Sequence, residues 1–234
     1  MTSTQAQPPD DTSLEAQDPY LLDDDSTTKF LNGAPWKRYA VLGDSIAQGV
    51  REAVPGYADS SWAERLAGSL RRVQPDLEYR NFGERDLVAA KVRSTQLEPA
   101  LEFAPDLAAV LAGGNDILGR SFDADAVEVE LARMISALRA RGTTVVTMGL
   151  FDITQSPYVP EKYRPIMQER LRVLAEHTRA VSDRMGCLYV DLPGHPAGGE
   201  EIYSQDGLHL NTRGHAVVAT ETVRRIAEHL GNSA

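Results

Sequence analysis

Five strand-like runs recur along the 234-residue chain, and each stops at a Gly, Asn, Asp or Ser. They are "RYAVLGDS" from Arg38, "LEYRNFG" from Leu77, "DLAAVLAGGND" from Asp106, "TTVVTMGL" from Thr143 and "CLYVDL" from Cys187. Most are continuously apolar rather than alternating, the mark of strands covered on both faces. Between and after them come helical patterns. "SSWAERLAGSLRRV" puts Trp62, Leu66, Leu70 and Val73 on one face, with Ser60 or Ser61 as N-cap. "DADAVEVELARMISALRARG" aligns Val127, Leu131, Ile135 and Leu138 in a stripe closed by Gly142. A third pattern carries Met167, Leu171, Leu174, Thr178, Val181 and Met185, and "TRGHAVVATETVRRIAEHL" forms the last. Strands that alternate with helices, and that are apolar on both faces, predict a mainly parallel five-stranded sheet with helices on each side. The expectation is one three-layer α/β/α domain over residues 31–234.

Residues 1–30 read differently. Residues 1–35 hold seven acids and a single base, Lys29, so more than half of the net charge of −10 lies there. This predicts a disordered acidic tail over residues 1–30. Neither part carries a basic surface, which argues against nucleic acid as a partner. No apolar run approaches the roughly 18 residues of a membrane-spanning helix. The N-terminal stretch has no basic region followed by an apolar core, so the expectation is a cytoplasmic protein. The single Cys187 suits that, and its neighbours "GCLYV" make it a small buried side chain.

In open parallel sheets, ligands sit at the carboxyl ends of the strands. Those ends carry Gly43-Asp44-Ser45, Asn81-Phe82-Gly83 and Gly113-Gly114-Asn115-Asp116. Any one is ordinary turn chemistry. A Ser hydroxyl becomes a nucleophile only beside a His base that a carboxylate orients. "DGLHLNTRGH" supplies both from one loop, Asp206 and His209, three residues apart. Negative charge developing on a carbonyl oxygen needs donors, and Gly83 N–H, the Asn115 amide and Ser45 N–H are the candidates. The other histidines are weaker candidates. His177 and His229 sit on charged helices, His195 in a loop, and His215 at the start of the last helix, where packing or capping is its expected role.

These four blocks, "GDS", "NFG", "GGND" and "DGLH", occur in an order that resembles the SGNH hydrolases, also called GDSL-type lipases/esterases. The resemblance implies a flavodoxin-like sandwich and a serine ester hydrolase working on a small-molecule ester with no cofactor and no metal. It matches Ser45 to the nucleophile, Asp206 and His209 to the rest of the triad, and Gly83 and Asn115 to the oxyanion donors. One departure is "GERD", where Glu84, Arg85 and Asp86 stand in place of the usual small residues and either line the pocket or pair with each other. The long connection "FDITQSPYVPEKYRP" has the length and aromatic character of a lid or binding loop, with a packed surface loop as the alternative. Two rival readings are weaker. A flavodoxin-like phosphate- or nucleotide-binding module lacks a phosphate-loop motif and leaves Asp206 and His209 without a purpose. An α/β-hydrolase would need Gly-x-Ser-x-Gly.

Overall fold

The computed structural model describes residues 12–232. Its centre is a parallel sheet of β1 (Arg38–Gly43), β2 (Glu78–Asn81), β3 (Leu107–Leu111), β4 (Thr144–Met148) and β5 (Leu188–Val190), in the order β2-β1-β3-β4-β5. That is the flavodoxin-like order, whose crevice opens where the connections diverge, between β1 and β3. The expected sheet is therefore observed, and it places the ends of β1 and β3 side by side.

The two faces follow the period of two in each strand. Tyr39, Val41, Leu107, Ala109 and Val146 point to one core, shared with α1 (Asp24–Phe30), α3 (Trp62–Val73) and α8 (Thr212–Leu230). Ala40, Leu42, Ala108, Val110 and Val145 point to the other, shared with α4 (Ala89–Phe103), α6 (Ala124–Arg139) and α7 (Arg164–Arg184). The short helices α2 (Ser45–Gln48) and α5 (Gly114–Leu118) follow β1 and β3 directly.

Helix α3 shows why these segments settle where they do. Ser61 is its N-cap, and a capping box closes it: Glu64 N–H donates to Ser61 Oγ (3.2 Å) and Ser61 N–H donates to the Glu64 carboxylate (2.8 Å). Trp62, Leu66 and Leu70 are fully buried on one face, each worth about 1.5–3 kcal/mol of transfer free energy.

Two segments depart from the sequence reading. Helix α4 carries no clean apolar stripe and holds Pro99 in its interior, so periodicity passes over it. The expected disordered tail does not hold from Thr12 onward; residues 1–11 lie outside the described residues. The acids there find partners. Arg65 donates two bonds to Glu15 (2.5 and 2.9 Å), and Arg213 donates to Asp18 (2.7 Å), which also accepts from Tyr57 Oη (2.8 Å). Asp23 caps α1 by accepting from Ser26 N–H (2.6 Å), and Phe30 and Leu31 enter the core. Charge density alone misreads a segment whose acids have specific cationic partners. Among the described residues, no helix is long and apolar enough to cross a membrane.

The Asp18 side chain is 2% exposed and that of Arg213 is 15%. Burial would raise the Asp18 carboxyl, but bonds from Arg213, Tyr20 N–H and Tyr57 outweigh it and hold it below its ordinary value. Asp18→Ala leaves Arg213 without that partner and should cost about 3–5 kcal/mol, read as a lower urea midpoint. A loss under about 1 kcal/mol would mean that the N-terminal strap contributes little.

Candidate active site

The site begins at a glycine that admits no side chain. Gly43 ends β1 with φ +152°, and a Cβ there would lie 2.1 Å from the Leu111 carbonyl oxygen of β3. Its backbone is held by the buried Gln96 of α4, which accepts from Gly43 N–H and donates to Gly43 C=O, both at 2.8 Å. The chain then turns, and the Asp44 carboxylate caps α2 by accepting from Ile46 N–H (3.0 Å). Ser45 is the first residue of that helix and is buried. The α2 carbonyls are held from two sides. Trp62 Nε1–H donates to Ile46 C=O (2.8 Å), and Asn81 Nδ2 donates to Ala47 C=O (2.7 Å).

The loop before α8 arrives on the other side. Asp206 Oδ1 accepts from the N–H groups of Leu208 and His209, both at 2.9 Å, and Gly207 takes the left-handed conformation between them (φ +72°). Asp206 Oδ2 lies 2.6 Å from His209 Nδ1. An ionised carboxylate only accepts, so this bond puts the imidazole proton on Nδ1 and leaves Nε2 as an acceptor. Ser45 Oγ lies 2.8 Å from that Nε2. Burial would raise the Asp206 carboxyl, but bonds from the His209 ring and the two backbone N–H groups outweigh it and hold it below its ordinary value. Glu52 joins the two loops: its carbonyl accepts from Thr212 N–H (3.0 Å) and its carboxylate from Gln205 N–H (2.6 Å).

Asn115, on α5, lines the same cavity as Ser45 and His209. One of its amide hydrogens donates to Leu87 C=O (3.0 Å), which fixes the side chain and leaves the second hydrogen for another acceptor. Its neighbour Asp116 caps α4 by accepting from Ala89 N–H (2.9 Å).

Gly83 is where the expected donor set fails. Its N–H donates to Asn81 Oδ1 (2.8 Å), and it does not line the cavity. A Cβ at Gly83 would lie 2.4 Å from Gln48 N, so this glycine lets the end of β2 pack against α2. The sequence signal "NFG" marks that turn and not a free donor. Arg85 and Asp86 pair with each other (3.4 Å), and neither they nor Glu84 reaches the cavity. In the connection after β4, Phe151 lines the cavity, whereas Tyr158 and Tyr163 are exposed.

The cavity beside Ser45 holds about 70 Å³. Its walls are apolar, among them Ile117, Met148, Leu150, Leu171 and Leu192, with Asp44 as the buried acid. None of the rival histidines lines it. His215 is fully buried, accepts from Trp62 N–H (3.1 Å) and donates to Val50 C=O (3.2 Å). Asp125, Glu128 and His177 converge on α6 and α7, the one such cluster among the described residues, but Glu128 is already paired with Arg184 and His177. Sequence reasoning missed Gln96 and the apolar walls. Gln96 sits on the unpredicted helix, and Leu171 reads as an ordinary core position.

Two buried groups oppose each other on acidification. Burial pushes the Asp44 carboxyl up to about 6, with Ile46 N–H and His209 pulling it back and Asp116 adding to the rise. Burial pushes His215 down to about 4. As pH falls from 7 to 5, the folded state gains from protonating Asp44, while the unfolded state gains from protonating His215. Asp44→Asn removes only the first effect. That variant should lose about 1 kcal/mol more stability than the parent between pH 7 and pH 5, measured by urea unfolding at each pH. Gln96→Ala leaves the Gly43 N–H buried and unpaired and should cost about 1–3 kcal/mol in the same assay at pH 7.

Comparison with known proteins adds what geometry does not. In overall structure the chain resembles LAE5, an α/β-hydrolase enzyme from the metagenome of Lake Arreo, Spain, with a TM-score of 0.65 and 20% identity over 85% of this chain and 97% of that one. It also resembles Axe2, an acetylxylan esterase from Geobacillus stearothermophilus (TM-score 0.63, 20% identity, 85% and 96% covered), and TesA (TM-score 0.62, 21% identity, 81% and 97% covered). No curated protein matches the chain in sequence. The profile of the GDSL-like Lipase/Acylhydrolase family matches residues 41–217, most of the chain and all of the site just described. With that match the chain belongs to the GDSL-like Lipase/Acylhydrolase family, as an SGNH-type hydrolase of ester bonds.

Proposed function

We propose that Ser45 is the nucleophile, His209 the general base and Asp206 the residue that orients it, acting on small-molecule carboxylic esters. The observation that carries this reading is the unbroken chain Ser45 Oγ–His209 Nε2, His209 Nδ1–Asp206 Oδ2 (2.8 and 2.6 Å) beside an apolar cavity. Ser45 attacks the acyl carbonyl carbon as its proton passes to Nε2. The Ser45 N–H and the free amide hydrogen of Asn115 hold the developing oxyanion. His209 then gives its proton to the departing alcohol, and a water deprotonated by the same Nε2 attacks the acyl-serine and frees the acid. Asp206 accepts from Nδ1–H throughout and steadies the imidazolium.

The rival phosphate-binding reading finds no support in the first strand's turn. The Asp44 carboxylate already occupies the N-terminus of α2 by accepting from Ile46 N–H (3.0 Å), and an anion brought there would meet it.

A serine-reactive fluorophosphonate probe and p-nitrophenyl esters test the proposal together. The parent should label and turn over, and Ser45→Ala should do neither above background. Labelling of Ser45→Ala at the parent's rate would falsify the assignment. Asn115→Ala should lose roughly 10²–10³ in kcat, and an undiminished kcat would remove Asn115 from the oxyanion site.

A further inference from the structure

Three hollows lie in a row beside the carboxyl end of β4, and the same two leucines line all of them. The first is the 70 Å³ cavity at Ser45. The third is a groove of about 330 Å³ along α7, walled by Gln168, Arg172, Arg179 and Tyr189. Between them is a gap of about 10 Å³, which borders the first through Asp44, Gly114 and Met148 and the third through Ala175. Leu150 and Leu171 are the residues common to all three. The other walls of the first cavity are different. Leu192 and Val218 belong to the packed core and line neither the gap nor the groove.

We propose that Leu171, seconded by Leu150, is the specificity-determining wall that ends the acyl pocket and restricts the enzyme to short acyl groups. This rests on the reading of Ser45 as nucleophile. An apolar cavity next to it takes the acyl chain, because the alcohol must leave toward water with the proton from His209. The 70 Å³ available is about half of the ~150 Å³ cavity that admits benzene, so about three or four carbons fill it. A longer chain meets the leucine side chains, and behind them lies a groove with room for it. The leucines separate two spaces that one substitution joins.

The same argument gives the size of the effect. Each methylene that gains an apolar contact is worth roughly fourfold to tenfold in kcat/KM. Leu171→Ala lets a chain of about eight carbons run through the gap into the groove along α7. The ratio of kcat/KM for the octanoyl ester to that for the butyryl ester should therefore rise about tenfold or more.

The experiment compares the full-length parent, Leu171→Ala and Leu150→Ala on p-nitrophenyl acetate, butyrate, hexanoate and octanoate. Folding is checked by thermal melting. Leu171 is buried, so its variant is less stable; Leu150 is half-buried, and its variant decides the matter if the other does not fold. The expected result is a parent that favours acetate or butyrate and a variant whose preference moves toward octanoate. The wall is overturned if the parent already favours octanoate. It is equally overturned if a folded variant cleaves butyrate with the parent's octanoate-to-butyrate ratio. A parent that cleaves no ester and takes no fluorophosphonate label sinks the assignment of Ser45 itself, and the wall goes with it.

Discussion

The close approach of β1 to β3 at Gly43 governs the site. With no side chain at residue 43, the Leu111 carbonyl oxygen takes the space a Cβ would fill, 2.1 Å from that ideal position. Only this closeness lets the turn after β1 and the turn after β3 share one cavity, with Ser45 on one and Asn115 on the other. Gln96 secures the arrangement from the side by occupying both hydrogen-bonding groups of Gly43. A buried amide is suited to this because it donates and accepts within one group. The topology supplies the crevice, and these contacts set its width.

The strands were legible because their signal is physical. A strand covered on both faces has to be apolar at successive positions, and the order of the runs leaves few arrangements. Ser45, Asn115, Asp206 and His209 were legible as a group, since each lies at a strand end or just before the last helix. Four things were not. Helix α4 was hidden because Pro99 and a mixed face conceal its period. Gly83 was misassigned because a glycine in a polar turn looks the same in sequence whether its N–H faces a substrate or a neighbouring Asn. The segment from Thr12 to Phe30 was misread because composition averages over charges, while the Glu15–Arg65 and Asp18–Arg213 pairs depend on which residue meets which. The partition formed by Leu150 and Leu171 has no sequence signature, since it exists only as a division between two spaces.

The electrostatics of the site divide between its two carboxylates. Asp206 receives three donors and is held ionised below its ordinary range, which keeps the His209 proton on Nδ1. Asp44 is buried with one donor and is pushed upward. Environment separates the two: the half-exposed acid hydrogen-bonds the histidine ring, and the buried acid serves the backbone of the turn.

Ser45 and His209 are separated by 164 positions in the chain, yet meet at 2.8 Å. Glu52 and Thr212 stitch their two loops together with the last helix already begun. A contact between such distant parts of the chain carries a large loop-closure entropy and belongs to the slow, non-local stage of folding. On the proposed reading, the serine therefore meets its base only once α8 has docked on the sheet. A chain still emerging from the ribosome, or one whose last helix has come away, would on that reading carry the hydroxyl without the imidazole that meets it.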